Sequence, residues 1–185
     1  MFALLSARGT PSSEVAGGRS DAPAPALPSP SAVPAETSFI QKWSTENRKY
    51  WVGNRPKAFA FELPAENTVP VWTRHVQPGL VVRCMGQATQ VFVVTESALK
   101  IEPETDDHTV TFSFDDEPKV AERWPDSADH DALFAPDGAA FAQRLIRAKT
   151  LRFGYTPHNA DPVVAAFHVN GLGPLIEPAH KECGW

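Results

Sequence analysis

Gly79-Leu80-Val81-Val82-Arg83-Cys84-Met85-Gly86 is the stretch on which the fold turns. Pro78-Gly79 makes a turn before it, and Gly86-Gln87-Ala88-Thr89 reads as a hairpin connection into Gln90-Val91-Phe92-Val93-Val94-Thr95. Successive side chains of a strand alternate between faces, so Leu80, Val82 and Cys84 share one face while Val81, Arg83 and Met85 share the other. A short apolar run bounded by turn residues predicts a buried strand, with Cys84 on an apolar face.

The segments on either side alternate more cleanly. In Ala58-Phe59-Ala60-Phe61-Glu62-Leu63 the residues Phe59, Phe61 and Leu63 face one way, and Pro64 closes the strand. In Thr109-Val110-Thr111-Phe112-Ser113-Phe114-Asp115 the residues Val110, Phe112 and Phe114 point to a core, and the hydroxyls and Asp115 to solvent. Short strands follow at Lys119 to Trp124, Leu151 to Tyr155 and Val163 to Val169, the last closed by Asn170-Gly171. One helix interrupts them. Asp137 is its N-cap, Phe141, Ala142, Leu145 and Ile146 follow at helical spacing, and Arg144, Arg147 and Lys149 sit in its later turns. A short helical turn is expected between Gly173 and Cys183. The fold class is therefore mainly β, an antiparallel and sandwich-like arrangement with one packed helix, or α+β.

Residues 1–37 read as a tail. From Ser20 to Pro34 the chain is almost wholly Ala, Pro and Ser, which cannot bury enough surface to offset its ordering entropy and so predicts a disordered linker. Residues 38–185 are then one β-rich domain. Met1-Phe2-Ala3-Leu4-Leu5-Ser6 is apolar but too short for the apolar region of an export signal. No apolar run reaches the roughly 20 residues that a spanning helix needs. A net charge of −5 and no basic stripe with interleaved aromatics argue against nucleic acid as a partner.

The chain has two cysteines, Cys84 and Cys183. They cannot form a zinc site by themselves, because structural zinc takes about four ligands. Spacing leaves two readings open. A long-range disulfide closing a ~100-residue loop contributes about 4–5 kcal/mol in the chain-entropy model; the alternative is two independent buried thiols.

Chemistry-bearing residues gather in two places, Asp106-Asp107-His108 and Asp126-Ser127-Ala128-Asp129-His130-Asp131. Carboxylates beside imidazoles can bind a cation, but both clusters are expected in turns, the first in a hairpin connection, where acids cap backbone N–H groups or face water. Asp115-Asp116-Glu117 is read as a solvated strand end. No nucleophile elbow, P-loop or dinucleotide fingerprint occurs, and Cys84 on an apolar face lacks the electropositive setting of a reactive thiol. No catalytic residue, metal site or cofactor is predicted. Trp43, Trp51 and Trp72 could together make a sugar-stacking platform.

The order of landmarks resembles the VasI/TagO family of accessory proteins of the bacterial type VI secretion system. The residues that carry it are Pro78 to Cys84, Val110 to Asp115, Glu122-Arg123-Trp124-Pro125-Asp126-Ser127-Ala128-Asp129, Leu133 to Pro136, Phe141 with Leu145, Ala165-Ala166-Phe167, Gly171-Leu172, and the closing Cys183-Gly184-Trp185. The resemblance implies an envelope-facing, non-enzymatic domain, periplasmic and stapled by Cys84–Cys183, that binds or positions protein partners of the bacterial envelope. It implies a working surface at Trp124, Asp126, Ser127 and Asp129. Three other expectations stand beside it: a peptidoglycan- or glycan-binding module using exposed tryptophans, a metal-dependent hydrolase using Asp115 or the acids of 126–131, and a cytoplasmic location if the thiols are free.

Overall fold

The computed structural model describes residues 43–44, 51–52, 55–56 and 58–177, apart from 86, 87 and 104. Twelve strands and two helices lie among them. In chain order they are β1 (Trp51–Val52), β2 (Arg55–Pro56), β3 (Ala58–Pro64), β4 (Val69–Val71), β5 (Arg74–Val76), β6 (Gly79–Met85) and β7 (Ala88–Val94). Then come β8 (Asp107–Phe114), β9 (Val120–Pro125), β10 (Ala132–Phe134), α1 (Gly138–Arg147), β11 (Thr150–Tyr155), β12 (Val163–His168) and α2 (Leu172–Ile176). The expected tail, its boundary near residue 37, and Cys183 lie outside the described residues.

The strands form two four-stranded antiparallel sheets, in the orders β10-β7-β6-β3 and β12-β11-β8-β9, with two small hairpins, β1-β2 and β4-β5. The first sheet is built on the quoted stretch. Phe61 pairs with Val82 and Val82 with Val91, so a row of apolar side chains crosses three strands on one face. In the second sheet Phe112 pairs with Phe153 and Phe114 with Leu151. Side chains from both sheets and from α1 meet in a single core, which includes Leu80, Val82, Phe112, Leu145 and Phe153.

The strand β6 is apolar on both faces for a reason. Leu80 and Val82 enter the main core, whereas Val81 joins Phe92 and Ala132 in a smaller cluster on the opposite face. Arg83 closes over that cluster, its guanidinium 4.8 Å from the Phe92 ring centroid and its Nε donating to Gln90 Oε1 at 2.7 Å. Cys84 is buried, on the face opposite Arg83 as the alternation predicts.

The helix obeys its sequence signals. Asp137 Oδ1 accepts from the Ala140 N–H at 2.9 Å, and Phe141, Ala142 and Leu145 form its buried stripe. Phe141 stacks edge-on against Phe112 and Trp124. Gly138, the first helical residue, packs so closely on β7 that an added Cβ would stand 2.5 Å from the Thr89 carbonyl oxygen.

Edges are closed by side chains as well as strands. Asn67, between β3 and β4, donates from Nδ2 to the Val164 carbonyl at 3.0 Å and accepts the Ala166 N–H at 2.9 Å. The Glu66 N–H donates to the Ala166 carbonyl. The outer edge of β12 therefore offers few unpaired groups to another strand.

Candidate functional site

Two crossings of the chain between the sheets end side by side. Residues 95–106 carry it from β7 to β8, and residues 126–131 return it from β9 to β10. The first crossing is pinned by Lys100 N–H donating to the Thr156 carbonyl and His158 N–H to the Ala98 carbonyl. The second is pinned to the first, since both the N–H and the hydroxyl of Thr95 donate to the Asp131 carbonyl, at 2.7 and 2.8 Å. Between the crossings lies a cavity of about 600 Å³. Ala98, Leu99, Ile101 and Ala128 supply its apolar wall, and His108, Asp126, His130 and His158 its polar one.

The centre of the polar wall is Asp126. Its Oδ2 lies 3.3 Å from His108 Nε2 and 2.5 Å from His130 Nδ1. The other ring nitrogen of His108 faces the Lys100 carbonyl at 2.9 Å, so this one imidazole links both crossings. Partial burial raises the Asp126 pKa, but the hydrogen bonds and charges of His130 and His108 outweigh it and hold the carboxyl below its ordinary value. The hydrogen bond and charge of Asp126 push His130 above its ordinary value, with Asp129 adding in the same direction.

Two of the remaining acids are also committed. Glu102 accepts from both the N–H and the hydroxyl of Thr109 and from Arg123 Nη1 at 2.8 Å. Burial works against its ionisation, yet these donors keep its carboxyl lowered. Ser127 Oγ donates to Asp131 Oδ1 at 2.8 Å and accepts the N–H groups of Asp131 and Ala132, which closes the turn. Asp106 and Asp129 stand exposed. Among the described residues, no group of three or more His, Cys, Asp or Glu side chains is placed to hold a metal ion.

Several expectations need correcting. His108 and Asp107 belong to β8, not to a hairpin connection, because the alternation of Phe114, Phe112 and Val110 simply continues back to residue 108. Trp124 is not part of a surface. It is fully buried, packed on Phe153 and Phe141, with its indole N–H donating to Glu122 Oε2 at 2.8 Å. Of the expected working surface, Asp126 and Ser127 sit at the cavity wall, and Asp129 is exposed beside them.

Asp115 stands exposed just past the end of β8, as expected, but it is also tied to a second strand. Its Oδ1 accepts from the N–H groups of Lys149 and Thr150 and from the Thr150 hydroxyl. Trp43 lies in the core and cannot join a sugar platform; Trp72 is 78% exposed; the side chain of Trp51 lies outside the described residues.

The two clusters singled out in the sequence thus become one site. The register that sets His108 opposite Trp124 brings its imidazole beside Asp126, two residues further on. His158 and the Lys100 carbonyl gave no sequence signal, for they arrive through the pairing of Leu99 with Pro157. No helix among the described residues is long and apolar enough to cross a membrane. Compared with known proteins, the chain matches no family model, no curated protein and no solved structure.

Proposed function

We propose that this is a non-enzymatic binding domain that captures a protein partner through the end bearing the cavity. The reading is that of an accessory protein of the bacterial envelope, periplasmic and associated with type VI secretion. The observation that carries the binding function is the Asp126 clamp. One carboxylate oxygen holds imidazoles from β8 and from the 126–131 turn, and so fixes the shape of the cavity wall before any ligand arrives. Preorganised walls of this kind favour binding, because less ordering has to occur on association. Asp126, Glu102 and Asp131 take part in holding the loops together, which suits a wall built for binding.

The envelope setting rests on the resemblance, which implies a Cys84–Cys183 disulfide, a bond that belongs to an oxidising compartment. The buried position of Cys84 and the absence of a free cysteine among the described residues agree with that pairing.

The binding test uses Asp129→Lys, which reverses the charge of an exposed side chain that makes no hydrogen bond within the clamp. Crosslinking in the native cells, followed by recovery of the chain, should show the partner reduced several-fold while a cooperative thermal transition is retained. Full recovery of the same partner by Asp129→Lys would remove the reading. The compartment is tested by a non-reducing peptide map after thiol trapping. A linked Cys84–Cys183 peptide is expected, and two trapped thiols would end the envelope assignment.

A further inference from the structure

Trp72 stands at the tip of the β4-β5 hairpin, 78% exposed and with φ at 44°. Positive φ is glycine's region, and a bulky residue held there is an outlier. Such outliers persist where the surrounding structure enforces them and cluster at functional sites. Trp43 and Trp124 are buried, so this indole has been kept out of the core rather than left over from it. The backbone bends sharply, without glycine, to present a large aromatic ring to water.

The hairpin sits at the same end of the molecule as the cavity. The Arg74 guanidinium donates to the Glu96 carbonyl, the neighbouring Thr95 is fastened to Asp131, and Ala98 lines the cavity. One end therefore carries both a knob and a hole. The hole, about 600 Å³, lies within the range that encloses small ligands. Leu99, Ile101 and Ala128 give it an apolar wall, and Ile101 is itself 79% exposed. Both imidazoles bind Oδ2 of Asp126, leaving Oδ1 as an acceptor for an indole N–H. Charges match as well. The exposed Arg74 follows the knob, while the exposed Asp106 lines the hole and Asp129 lies between the lining residues Ala128 and His130.

We propose that two copies of this chain pair through this end, with the Trp72 ring of each seated in the cavity of the other. A two-fold contact needs a self-complementary surface, knob and hole together, and then closes at two copies. Tryptophan and arginine are the residues most enriched among those that dominate interface energetics. The proposal uses the cavity of the binding reading but not its envelope partner. Its test needs only the purified chain, so either can fail without the other.

The experiment is sedimentation velocity on the intact chain from about 1 µM to about 200 µM, where a small interface with a Kd on the order of 10 µM shows its monomer and its dimer. Tryptophan emission should shift to the blue as the dimer fills. Trp72→Ala should weaken pairing about 100-fold or more. Ala128→Trp, which fills the hole, should do the same, and mixing the two variants should restore a one-knob heterodimer. Raising salt should weaken the wild-type dimer through the Arg74 and Asp129 charges. A wild-type chain that stays monomeric throughout, or a dimer indifferent to Trp72→Ala, overturns the proposal; should Ala128→Trp fail to fold, Trp72→Ala and the salt series decide it.

Discussion

Asp126 holds two imidazoles at one oxygen, and its protonation has a definite sign. The carboxyl is held below its ordinary 3.8, so its contribution to stability is present above that value and is lost as pH falls through the depressed one. His130 is raised above its ordinary 6.5, so its contribution is complete below 6.5 and is lost as pH rises through the raised value. The pair is therefore strongest between those two limits. Comparing thermal melts of wild type and His130→Asn, we expect the variant to be the less stable at about pH 5.5 and the two to converge at about pH 9. A constant gap across pH would show that the imidazole acts by packing alone. The carboxylates and histidines were legible in the sequence as two clusters. Their meeting was not, because it depends on a strand register that places His108 opposite Trp124, and alternation alone does not choose a register.

Elements in this fold are tied off by side chains whose work is invisible without the structure. Asp115 has φ at 45° and receives two backbone N–H groups from the start of β11. Partial desolvation pulls its pKa up, but the donors of Thr150 and Lys149 prevail and lower it. Asp115→Ala should cost about 1–2 kcal/mol in urea unfolding, as for a lost cap, with Asp115→Asn costing less. Sequence reading placed Asp115 at a strand end correctly and missed the cap, since its donors lie some 35 residues away. The helix was more legible, because the Asp137 cap and the Phe141, Leu145 stripe are local signals. Its seat was not. Gly138→Ala raises helix propensity, yet the new Cβ would meet the Thr89 oxygen at 2.5 Å and the Gln90 Cα at 2.9 Å, both backbone atoms. We expect the clash to win, with a net loss of about 1–3 kcal/mol by denaturant unfolding.

Across the described residues, two sheets and a helix share one core, and Trp124 sits where the second sheet meets the helix, against Phe112, Phe141 and Phe153. Trp124→Ala should cost about 3–5 kcal/mol, read from the denaturation midpoint, because it removes a fully buried ring and strands Glu122 without its donor. The resemblance implied a surface position for it, and β9 gives no alternation to say otherwise, since Val120 and Glu122, which share its parity, are exposed. The largest architectural facts, antiparallel strands and one helix, were carried by alternation. The crossings that shape the cavity were not, since turns of polar residues leave no period to read. Asn67 adds a consequence of another kind. It joins β12 across separations of 97 and 99 residues. We expect contacts of such long separation to close after the folding transition state, so that their loss quickens escape from the native state without slowing arrival. In stopped-flow experiments Asn67→Ala should therefore steepen nothing and shift only the unfolding arm upward, which makes this small amide a governor of how long the folded molecule lasts.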